Sequence, residues 1–568
     1  MNTTIPFLKN RYAFAVALIT IIFFSVSVWN LGDKQFPASN WAPSASMEEV
    51  HLDLGTVVRV DKFFILVQDA NKVDVDVYWG SPEEWAYQGS ISEQGVHRKW
   101  RDLPLEQDTR HIRLVFRAST GTIGEVALFS AGEKLEISSA TDADGEPLPA
   151  LIDEQHLVEN PASHKSRTYF DEIYFVRAAD DFLRHDEQSE RTHPPLSKLI
   201  IAGSISLFGD SPFGWRFAGI FFATALIPLI YLFARRMFNS QRAGLFAAAL
   251  LALDFMHFTM GRMATGETFI LFFVVAMFYF FYRYYQNPAG NAKYLFLSLV
   301  FFGLGFATKW VTMYGFVGIV LLLAVVKWRK PIYRTEILAL GGGLLAAISI
   351  YMLTYVPQFM LGHGLRDFID MQFFMFRFHG GLEAPHPHSS PWWSWPLMVT
   401  PLWLYVGYFH DSRAYISSMG NPALWWVSVP IMLLTGWKAL RDGDMRATFI
   451  VIPFFAQWLI FAPITRALFI YHFFPNVLFM VLAATLWMEH FWLKAERRKS
   501  RAAGTATGKW FSSVAPWAAN LMDRRRGLVL AYIGVNLAFF LALFPVISGL
   551  PAGNSYWDSL SWLVGWVT

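Results

Sequence analysis

The sequence predicts a polytopic α-helical membrane protein that carries an extracytoplasmic β-sandwich domain, and three observations support this. Hydrophobic residues make up 54% and aromatic residues 17% of the 568 residues, and the mean hydropathy is positive, a combination typical of membrane proteins. Apolar runs long enough to cross a bilayer of about 30 Å recur along the chain. A long polar stretch rich in β-branched residues separates the first apolar run from the rest.

The first apolar run extends from Tyr12 to Val28 and follows the basic residues Lys9 and Arg11. No small-residue cleavage site follows it, so we interpret residues 1–31 as a retained first transmembrane helix. A cleaved signal peptide is the alternative interpretation.

The polar stretch at residues 45–140 contains segments such as "VVRVDKFFILVQD" and "RHIRLVFRA", in which β-branched residues partly alternate with polar ones. This pattern predicts strands of a soluble sandwich that faces outward. Its segments resemble the discoidin or galactose-binding-like jelly roll. A structural or protein-contacting role is one interpretation, and carbohydrate binding through Trp79, Trp85, Tyr87 or Trp100 is the other.

The distribution of Lys and Arg gives the orientation of the spans. Basic residues cluster in alternate loops, for example Arg235 and Arg236 in one loop and Lys327 and Lys330 in another. Such loops face the cytoplasm, which places the N-terminus inside and the C-terminus outside. After the first, we predict ten further spans near residues 213–234, 243–260, 267–282, 294–308, 310–326, 335–357, 421–437, 447–464, 467–488 and 527–547.

Two apolar segments fit poorly as spans and are placed at the outer membrane surface. The segment "PPLSKLIIAGSISLFG" is short and contains Lys198, and "PWWSWPLMVTPLWLYVGYF" is crowded with Trp and Pro. The predicted organisation therefore comprises a catalytic outer loop with interfacial helices at 160–212, a transmembrane core at 213–490 with an outer loop at 358–420, a basic cytoplasmic loop at 491–526, and a last helix with an outer tail at 527–568.

Charged residues gather at the predicted outer ends of the spans, where the positive-inside tendency would not place Arg or Lys. Any single one could extend its side chain to the interface or pair with a carboxylate. Together they indicate a site for an anionic substrate. The residues are Asp171, Glu172, Arg216, Arg262, Glu267, Lys309 and Arg466.

A lipid-linked sugar phosphate that enters from the bilayer would use such a set. Arg and Lys can hold its phosphate and stabilise the charge that grows on the leaving group. A carboxylate can take the proton of the acceptor hydroxyl. Because adjacent residues need not face the same way, only one acid of the Asp171 and Glu172 pair is required to point inward.

Several motifs, in order along residues 165–480, resemble the protein O-mannosyltransferase family. The family consists of multi-span enzymes of the GT-C fold that use polyprenyl-phosphate-linked mannose. The pair formed by "HPHSSPWWSWPL" and "FIYHFFP" is specific, whereas "FDE" alone is weak. The motifs are "FDE" at 170–172, "HPPLSK" at 193–198, "ATKW" at 307–310, "HPHSSPWWSWPL" at 386–397, "GNP" at 420–422 and "RALFIYHFFP" at 466–475.

The resemblance implies that Asp171 is the catalytic base and that Glu172 helps to hold the acceptor. It also implies that Arg216 lines the active site. Charge and family together make Lys198, Arg216, Lys309 and Arg466 candidates for binding the donor phosphate. Further candidates for the active site are His193, Arg262, Glu267, His386 and His472. The alternative for His193 is that it shapes its loop. The alternative for His386 and His472 is that they form structural hydrogen bonds.

The chain departs from the family pattern in two places. Glu267 stands where the family often shows an Asp, and residues 358–420 are too few for the β-trefoil domain of eukaryotic members. No cofactor is predicted with certainty. No metal ligands are assigned, because "HExxH" and similarly spaced ligand sets are lacking and metal dependence stays open. Cysteine is absent, which excludes thiolate chemistry.

The sequence therefore predicts a glycosyltransferase that moves mannose or a related hexose, with inversion, from a polyprenyl phosphate to a hydroxyl, in the first place that of protein Ser or Thr. Its partners are the lipid-linked sugar, the acceptor and membrane lipids, without nucleic acid, and the family resemblance allows a dimer. A glycan or lipid acceptor is the first alternative. A transporter or flippase is the remote one, since no inverted repeat is evident and the charges lie at one face.

Overall fold

The computed structural model describes residues 11–381, 386–503 and 524–560, without the side chains of 495–503. Most of the predicted cytoplasmic loop at 491–526 and part of the outer tail at 527–568 lie outside the described residues. The chain begins with helix α1, continues through a β-sheet unit, and then forms a large set of mainly apolar helices.

The β-sheet unit consists of two very long strands and three shorter ones, all antiparallel to their neighbours. The strand register divides it into two layers, because different segments of the long strands pair with different partners. One layer has the order 84–91, 75–81, 111–116, 48–53, 139–142, and the other has the order 94–104, 62–72, 120–129, 133–135. The strands are β1 Glu48–Ser81, β2 Glu84–Phe116, β3 Thr120–Ser130, β4 Glu133–Leu135 and β5 Ser139–Asp142.

Apolar side chains from both layers meet in one buried cluster, which includes Val50, Phe63, Ile112 and Leu128. Side chains alternate between the two faces of a strand. On the opposite face of the second layer, Phe64 and its neighbours pack against the helical part instead. The unit is therefore a sandwich with one layer exposed and one layer held between two apolar contacts.

Shorter helical segments lie along the chain between the long apolar helices. The short ones include 3-10 helices at Pro149–Leu151, Gln155–Leu157, His164–Ser166, Trp392–Leu397 and Ile470–Asn476. The helices are α1 Arg11–Val28, α2 Glu172–Arg184, α3 Leu196–Phe208, α4 Pro212–Phe238, α5 Gln241–Ala252, α6 Phe255–Gly261, α7 Glu267–Gln286, α8 Ala292–Thr308, α9 Thr312–Lys327, α10 Arg334–Leu353, α11 Val356–Met360, α12 Leu365–Gly381, α13 Pro422–Asp442, α14 Met445–Leu459, α15 Val477–Ala503, α16 Arg524–Ala542, α17 Phe544–Ser548 and α18 Asn554–Ser559.

Each predicted span coincides with an apolar helix or a bent helix pair. Within the described residues, seven helices are long and apolar enough to cross a membrane, and α5 with α6 forms an eighth that is bent by 62°. Four further described helices, α3, α8, α9 and α14, are apolar but shorter. The protein is thus a multi-pass membrane protein, while the count of eleven spans stays a prediction.

Polar contacts at the helix ends agree with the prediction that successive loops alternate between the two ends of the helix bundle. At one end of the bundle, Arg236 in the last turn of α4 bonds to Gln286 at the end of α7 at 2.7 Å, and Lys327 pairs with Glu336 at 2.6 Å. At the opposite end, Lys309 after α8 pairs with Glu267 at the start of α7 at 2.7 Å. The residues predicted to lie outside therefore share one end of the helix bundle.

The segment "PWWSWPLMVTPLWLYVGYF" forms a structure that the sequence analysis did not predict. A 3-10 turn at Trp392–Leu397 is followed by a hairpin of β6 Leu402–Phe409 and β7 Ser412–Ser418, to which the short strand β8 Ala552–Gly553 is added. Alternating aromatic and aliphatic residues suit a half-buried strand. The same residues also suit a membrane interface, which explains why the sequence pattern did not indicate the hairpin.

Candidate active site

Asp171 and Glu172 stand at the start of α2 and point in different directions. Phe170 has a left-handed φ of 48°, which turns the chain just before Asp171. Consecutive residues of a helix point about 100° apart, since a turn contains 3.6 residues. As a result Asp171 lines a cavity, whereas the side chain of Glu172 is fully buried beneath it.

The cavity has a volume of about 510 Å³ and lies between α2, α12 and the loops that precede α3, α9 and α15. One wall is polar and the other is formed largely by aromatic side chains. The lining residues are Asp171, Tyr174, Phe175, Ser189, Glu190, Arg191, Thr192, His193, Lys309, Phe374, Phe378, His379, Arg466, Ala467, Phe469, Tyr471 and His472.

Three Arg and Lys side chains line this cavity, and they differ in how they are paired. Arg191 bonds to the Gln188 carbonyl oxygen at 2.9 Å and to Glu187 at 3.2 Å. The Lys309 ammonium donates to Glu267 Oε1 at 2.7 Å and lies 5.5 Å from the centre of the Tyr471 ring. For Arg466, the described residues provide neither a hydrogen bond nor an ion pair. Arg466 is therefore the cation with most donor capacity for an incoming anion.

Burial raises the pKa of Asp171 to about 6. The positive charge of Lys309 opposes this shift, while the negative charges of Glu267 and Glu190 add to it. A carboxylate with this pKa is still ionised near neutral pH and is a stronger base than an exposed aspartate. The environment of Asp171 thus suits a general base.

A buried polar network forms the wall opposite α12. Lys198 is 1% exposed, and its ammonium donates to the Glu190 carbonyl oxygen, to Glu190 Oε2 and to the His193 carbonyl oxygen at 2.8, 2.8 and 2.9 Å. His193 Nδ1 lies 3.2 Å from Glu190 Oε1. Burial lowers the pKa of His193, which keeps the ring neutral at neutral pH.

A comparison with known proteins places the chain in a family. Residues 192–355 match the family model described as dolichyl-phosphate-mannose-protein mannosyltransferase, and residues 364–566 match that of the C-terminal four-transmembrane region of protein O-mannosyltransferase. The chain belongs to the protein O-mannosyltransferase family. The two matches together cover most of the chain after the β-sandwich and confirm the resemblance seen in the motifs.

Relatives and a solved structure agree with this assignment. The chain is 25% identical over 443 residues to the polyprenol-phosphate-mannose–protein mannosyltransferase of Mycobacterium tuberculosis, covering 66% of this chain and 80% of that protein. It is 24% identical over 474 residues to the Mycolicibacterium smegmatis protein of the same name, and this match covers 70% of this chain and 87% of that protein.

A chain of the S. cerevisiae protein O-mannosyltransferase Pmt1–Pmt2 complex bound to the sugar donor shares the fold. The superposition has a TM-score of 0.56 at 12% identity and covers 70% of this chain and 89% of that one. The helical part therefore has the GT-C fold that the motifs predicted.

Not all predicted site residues of this mannosyltransferase-family chain lie in the cavity. The structure brings together Asp171, His193, Lys309, Arg466 and His472 on its wall. Glu267 touches the same region through its bond to Lys309. The remaining predicted residues, Glu172, Lys198, Arg216, Arg262 and His386, do not line it.

The placement of Glu172 and Arg216 does not fit their predicted roles in acceptor and phosphate binding. The Arg216 guanidinium forms a fork with both Glu172 oxygens at 2.7 and 2.8 Å. Its other donors bond to the carbonyl oxygens of Leu31, His164 and Arg167, each at 2.8 Å. All five N–H groups of Arg216 thus have a protein acceptor. This buried pair fastens α2 to α4.

Lys198 and Arg262 are likewise bonded within the protein. The three N–H groups of Lys198 are all directed to Glu190 and His193, which leaves none for a phosphate. Arg262 is 3% exposed and donates to the carbonyl oxygens of Trp29, Asn30 and Ser548. Both residues therefore tie loops together beneath the outer surface.

The two other predicted histidines differ in position. His472 lines the cavity, and its Nδ1 accepts from the Phe469 backbone N–H at 3.2 Å, which stabilises the turn of the "RALFIYHFFP" motif. His386 Nδ1 accepts from the His388 backbone N–H at 3.2 Å, and its ring packs edge-on against Phe469. The structural interpretation of both residues is supported by these contacts.

Twelve of the seventeen residues that line the cavity were not predicted, and three of them belong to α12. Phe374 and Phe378 line the cavity and are 47% and 38% exposed, so they face both the cavity and the outside of the protein. His379 Nε2 bonds to the Thr192 carbonyl oxygen at 2.7 Å and holds the helix end against the polar wall. The run of aromatic residues in "QFFMFRFH" was the available signal for this wall.

In the part of the chain that the structure describes, one group of three carboxylates is close enough to hold a cation. It consists of Glu125, Asp153 and Glu154, in and next to the β-sandwich. The described cavity residues include no comparable set, so nothing in their arrangement assigns a metal to the site.

Proposed function

We propose that this protein transfers mannose from a polyprenyl-phosphate donor to the hydroxyl group of a protein Ser or Thr, with inversion at the sugar. The observation that carries the proposal is that Asp171, Lys309 and Arg466 line one cavity, next to a partly exposed aromatic wall. The names of the mycobacterial relatives, which are protein mannosyltransferases that use polyprenol-phosphate-mannose, support the same donor and acceptor.

The donor phosphate binds to Arg466 and Lys309 in this proposal. Arg466 supplies a planar fork that matches phosphate oxygens, and Lys309 supplies a compact charge. The polyprenyl chain leaves the cavity past Phe374 and Phe378, whose rings form an apolar exit toward lipid. These two binding modes orient the sugar toward Asp171.

The transfer is a single displacement at the anomeric carbon. The acceptor oxygen forms a bond to this carbon while the bond between the carbon and the phosphate oxygen breaks. The acceptor proton goes to Asp171, and the leaving polyprenyl phosphate carries the negative charge that Arg466 and Lys309 stabilise. No nucleotide sugar takes part.

We further propose that the cavity faces away from the cytoplasm. The helix ends that carry Arg235, Lys327 and Lys438 lie at the bundle end opposite to the bond between Lys309 and Glu267. Because such basic loops remain in the cytoplasm, the cavity and the β-sandwich belong outside. A glycan or lipid acceptor and a dimeric assembly stay predictions.

The decisive experiment measures release of polyprenyl phosphate from polyprenyl-phosphate mannose by the purified protein with a Ser- and Thr-rich acceptor. We expect the Asp171→Asn variant to lose about 10²- to 10⁴-fold in kcat, the usual contribution of a general base. Asp186→Asn is the matched control, because Asp186 is an exposed carboxylate of the neighbouring segment. Equal turnover by Asp171→Asn and wild type would disprove the assignment of the base, and intact donor crossing liposomes would indicate transport.

A further inference from the structure

A segment of strand β2 lies in the joint between the β-sandwich and helix α2, which begins next to Asp171. Arg98 lies in strand β2, has a left-handed φ of 52° and is 1% exposed. Left-handed backbone is uncommon for residues other than glycine, and it often marks a functional position. Here it accompanies a buried guanidinium group.

The Arg98 guanidinium joins two carboxylates that belong to different elements of the helical part. It forms ion pairs with Asp180 of α2 and with Asp210, two residues before α4. It also lies 5.0 Å from the centre of the Trp215 ring, whose Nε1 donates to Asp210 at 2.7 Å. Arg98 therefore links α2 to the start of α4.

The backbone of the same strand segment holds the chain that precedes Asp171. Thr168 Oγ1 donates to the His97 carbonyl oxygen at 2.7 Å, and the Thr168 N–H donates to the Arg98 carbonyl oxygen at 3.1 Å. The His97 ring lies 3.1 Å from Asp180. The chain around Asp171 is thus bound to this part of β2 both before and after the acid.

Apolar packing strengthens the joint. Phe64, Leu66 and Trp100 of the sandwich form a buried cluster with Phe175 and Ala179 of α2. Phe175 is also part of the cavity wall. A displacement of the sandwich would therefore move the helix that carries Asp171.

We infer that Arg98 is a positioning residue for the general base, so that the β-sandwich is required for sugar transfer and does not serve only to recruit acceptors. This inference rests on the proposed function. Its physical basis is geometric: a side chain near a reacting atom must be held within a fraction of an ångström, and α2 transmits the position of Asp180 to Asp171.

Substitution of Arg98 tests the inference by kinetics. Lysine keeps the charge but cannot bridge two carboxylates with one planar fork. We expect Arg98→Lys to lower kcat by about 100-fold, as small displacements of catalytic groups do, and to leave the donor KM within about twofold. Arg110→Ala is the matched control, since Arg110 forms an exposed ion pair with Asp53 on the outer layer of the sandwich.

The pH profile separates positioning from a general loss of structure. Burial raises the pKa of Asp171, and Lys309, Glu267 and Glu190 are the charged groups that act on it. If α2 shifts and water reaches Asp171, this pKa falls, so the acidic limb of the kcat profile moves to lower pH in Arg98→Lys. An unchanged limb together with an unchanged kcat would overturn the inference.

Hydrogen exchange of residues 172–184 provides a readout that does not depend on activity. We expect faster exchange in Arg98→Lys and in Asp210→Asn, and unchanged exchange in Arg110→Ala. If the wild-type protein does not transfer mannose, only the proposed function is refuted, because hydrogen exchange still reports whether Arg98 holds α2 in place. If Arg98→Lys and Asp210→Asn both exchange at the wild-type rate, only the role of Arg98 is refuted.

Discussion

Asp171 and Glu172 are neighbours in sequence, yet they belong to regions that differ in how completely the nearby cations are paired. Asp171 faces a cavity in which Arg466 has no partner among the described residues and Lys309 has a single carboxylate partner. Glu172 lies in a buried layer beneath the cavity, where its two oxygens accept from Arg216 at 2.7 and 2.8 Å and from the Ala264 N–H at 2.9 Å.

The difference between these regions distinguishes charges that build the fold from charges that bind substrate. A buried charge must be fully hydrogen-bonded, because an unpaired one loses its hydration without replacement. Arg216 meets this requirement with five protein acceptors. Arg466 is partly exposed and has no such acceptor among the residues that the structure describes, so its N–H groups can receive an anion in the cavity. The pairing state, and not the residue type, separates the two roles.

The largest effect is expected when the same chemical change is made at both acids. Glu172→Gln removes the charge that compensates Arg216, and breaking a buried pair in this way costs about 3–5 kcal/mol of stability. We expect a strongly lowered melting temperature and a low yield of folded protein. Asp171→Asn should retain the wild-type melting temperature while it loses turnover. Similar melting temperatures of the two variants would contradict the distinction between the regions.

Arg466 provides the next test, on the cavity side of the comparison. Arg466→Gln removes a cationic group that stabilises the leaving phosphate, and the loss of one such donor typically lowers kcat by about 10²- to 10³-fold. The melting temperature should stay unchanged, since Arg466 forms no ion pair with the described residues. Arg466→Lys should recover part of the activity. A destabilised Arg466→Gln protein would place this residue with the structural charges.

Lowering the pH should reduce turnover through the protonation of Asp171 in the cavity. Because burial raises the pKa of Asp171 to about 6, lowering the pH through this value protonates the base and removes its function. We therefore expect kcat to fall about tenfold per pH unit below about 6 and to level off above it. Melting curves over the same pH range serve as the control. Constant turnover down to pH 5 would argue against Asp171 as the base.

The sequence predicted the cavity better than it predicted the layer beneath. Charge alternation and motif order led to Asp171, Lys309 and Arg466, because a substrate site retains charges that are conspicuous at helix ends. Lys198 and Arg216 carry the same charge at similar positions, and only their three-dimensional partners show that they are structural. Such partners lie up to 185 residues away along the chain, as for Arg216 and Leu31, and no periodicity reveals them.

The fold shows the same limit. Apolar runs predicted the helices, since the bilayer requires a minimum length and excludes unpaired backbone. The sequence did not predict the hairpin at 402–418 or helix α12, because aromatic residues are common both at membrane interfaces and in packed elements. The contact of Arg98 with α2 depends on how the sandwich docks, which no local pattern encodes.

The smallest and most specific effect concerns the charges around Asp171. Glu267 raises the pKa of Asp171 and Lys309 lowers it, although the two side chains bond to each other. Glu267→Gln should therefore move the acidic limb of the kcat profile to lower pH, and Lys309→Met should move it to higher pH. Opposite shifts require that both groups act on one base within a common cavity. Shifts in the same direction would mean that the limb reports a group other than Asp171.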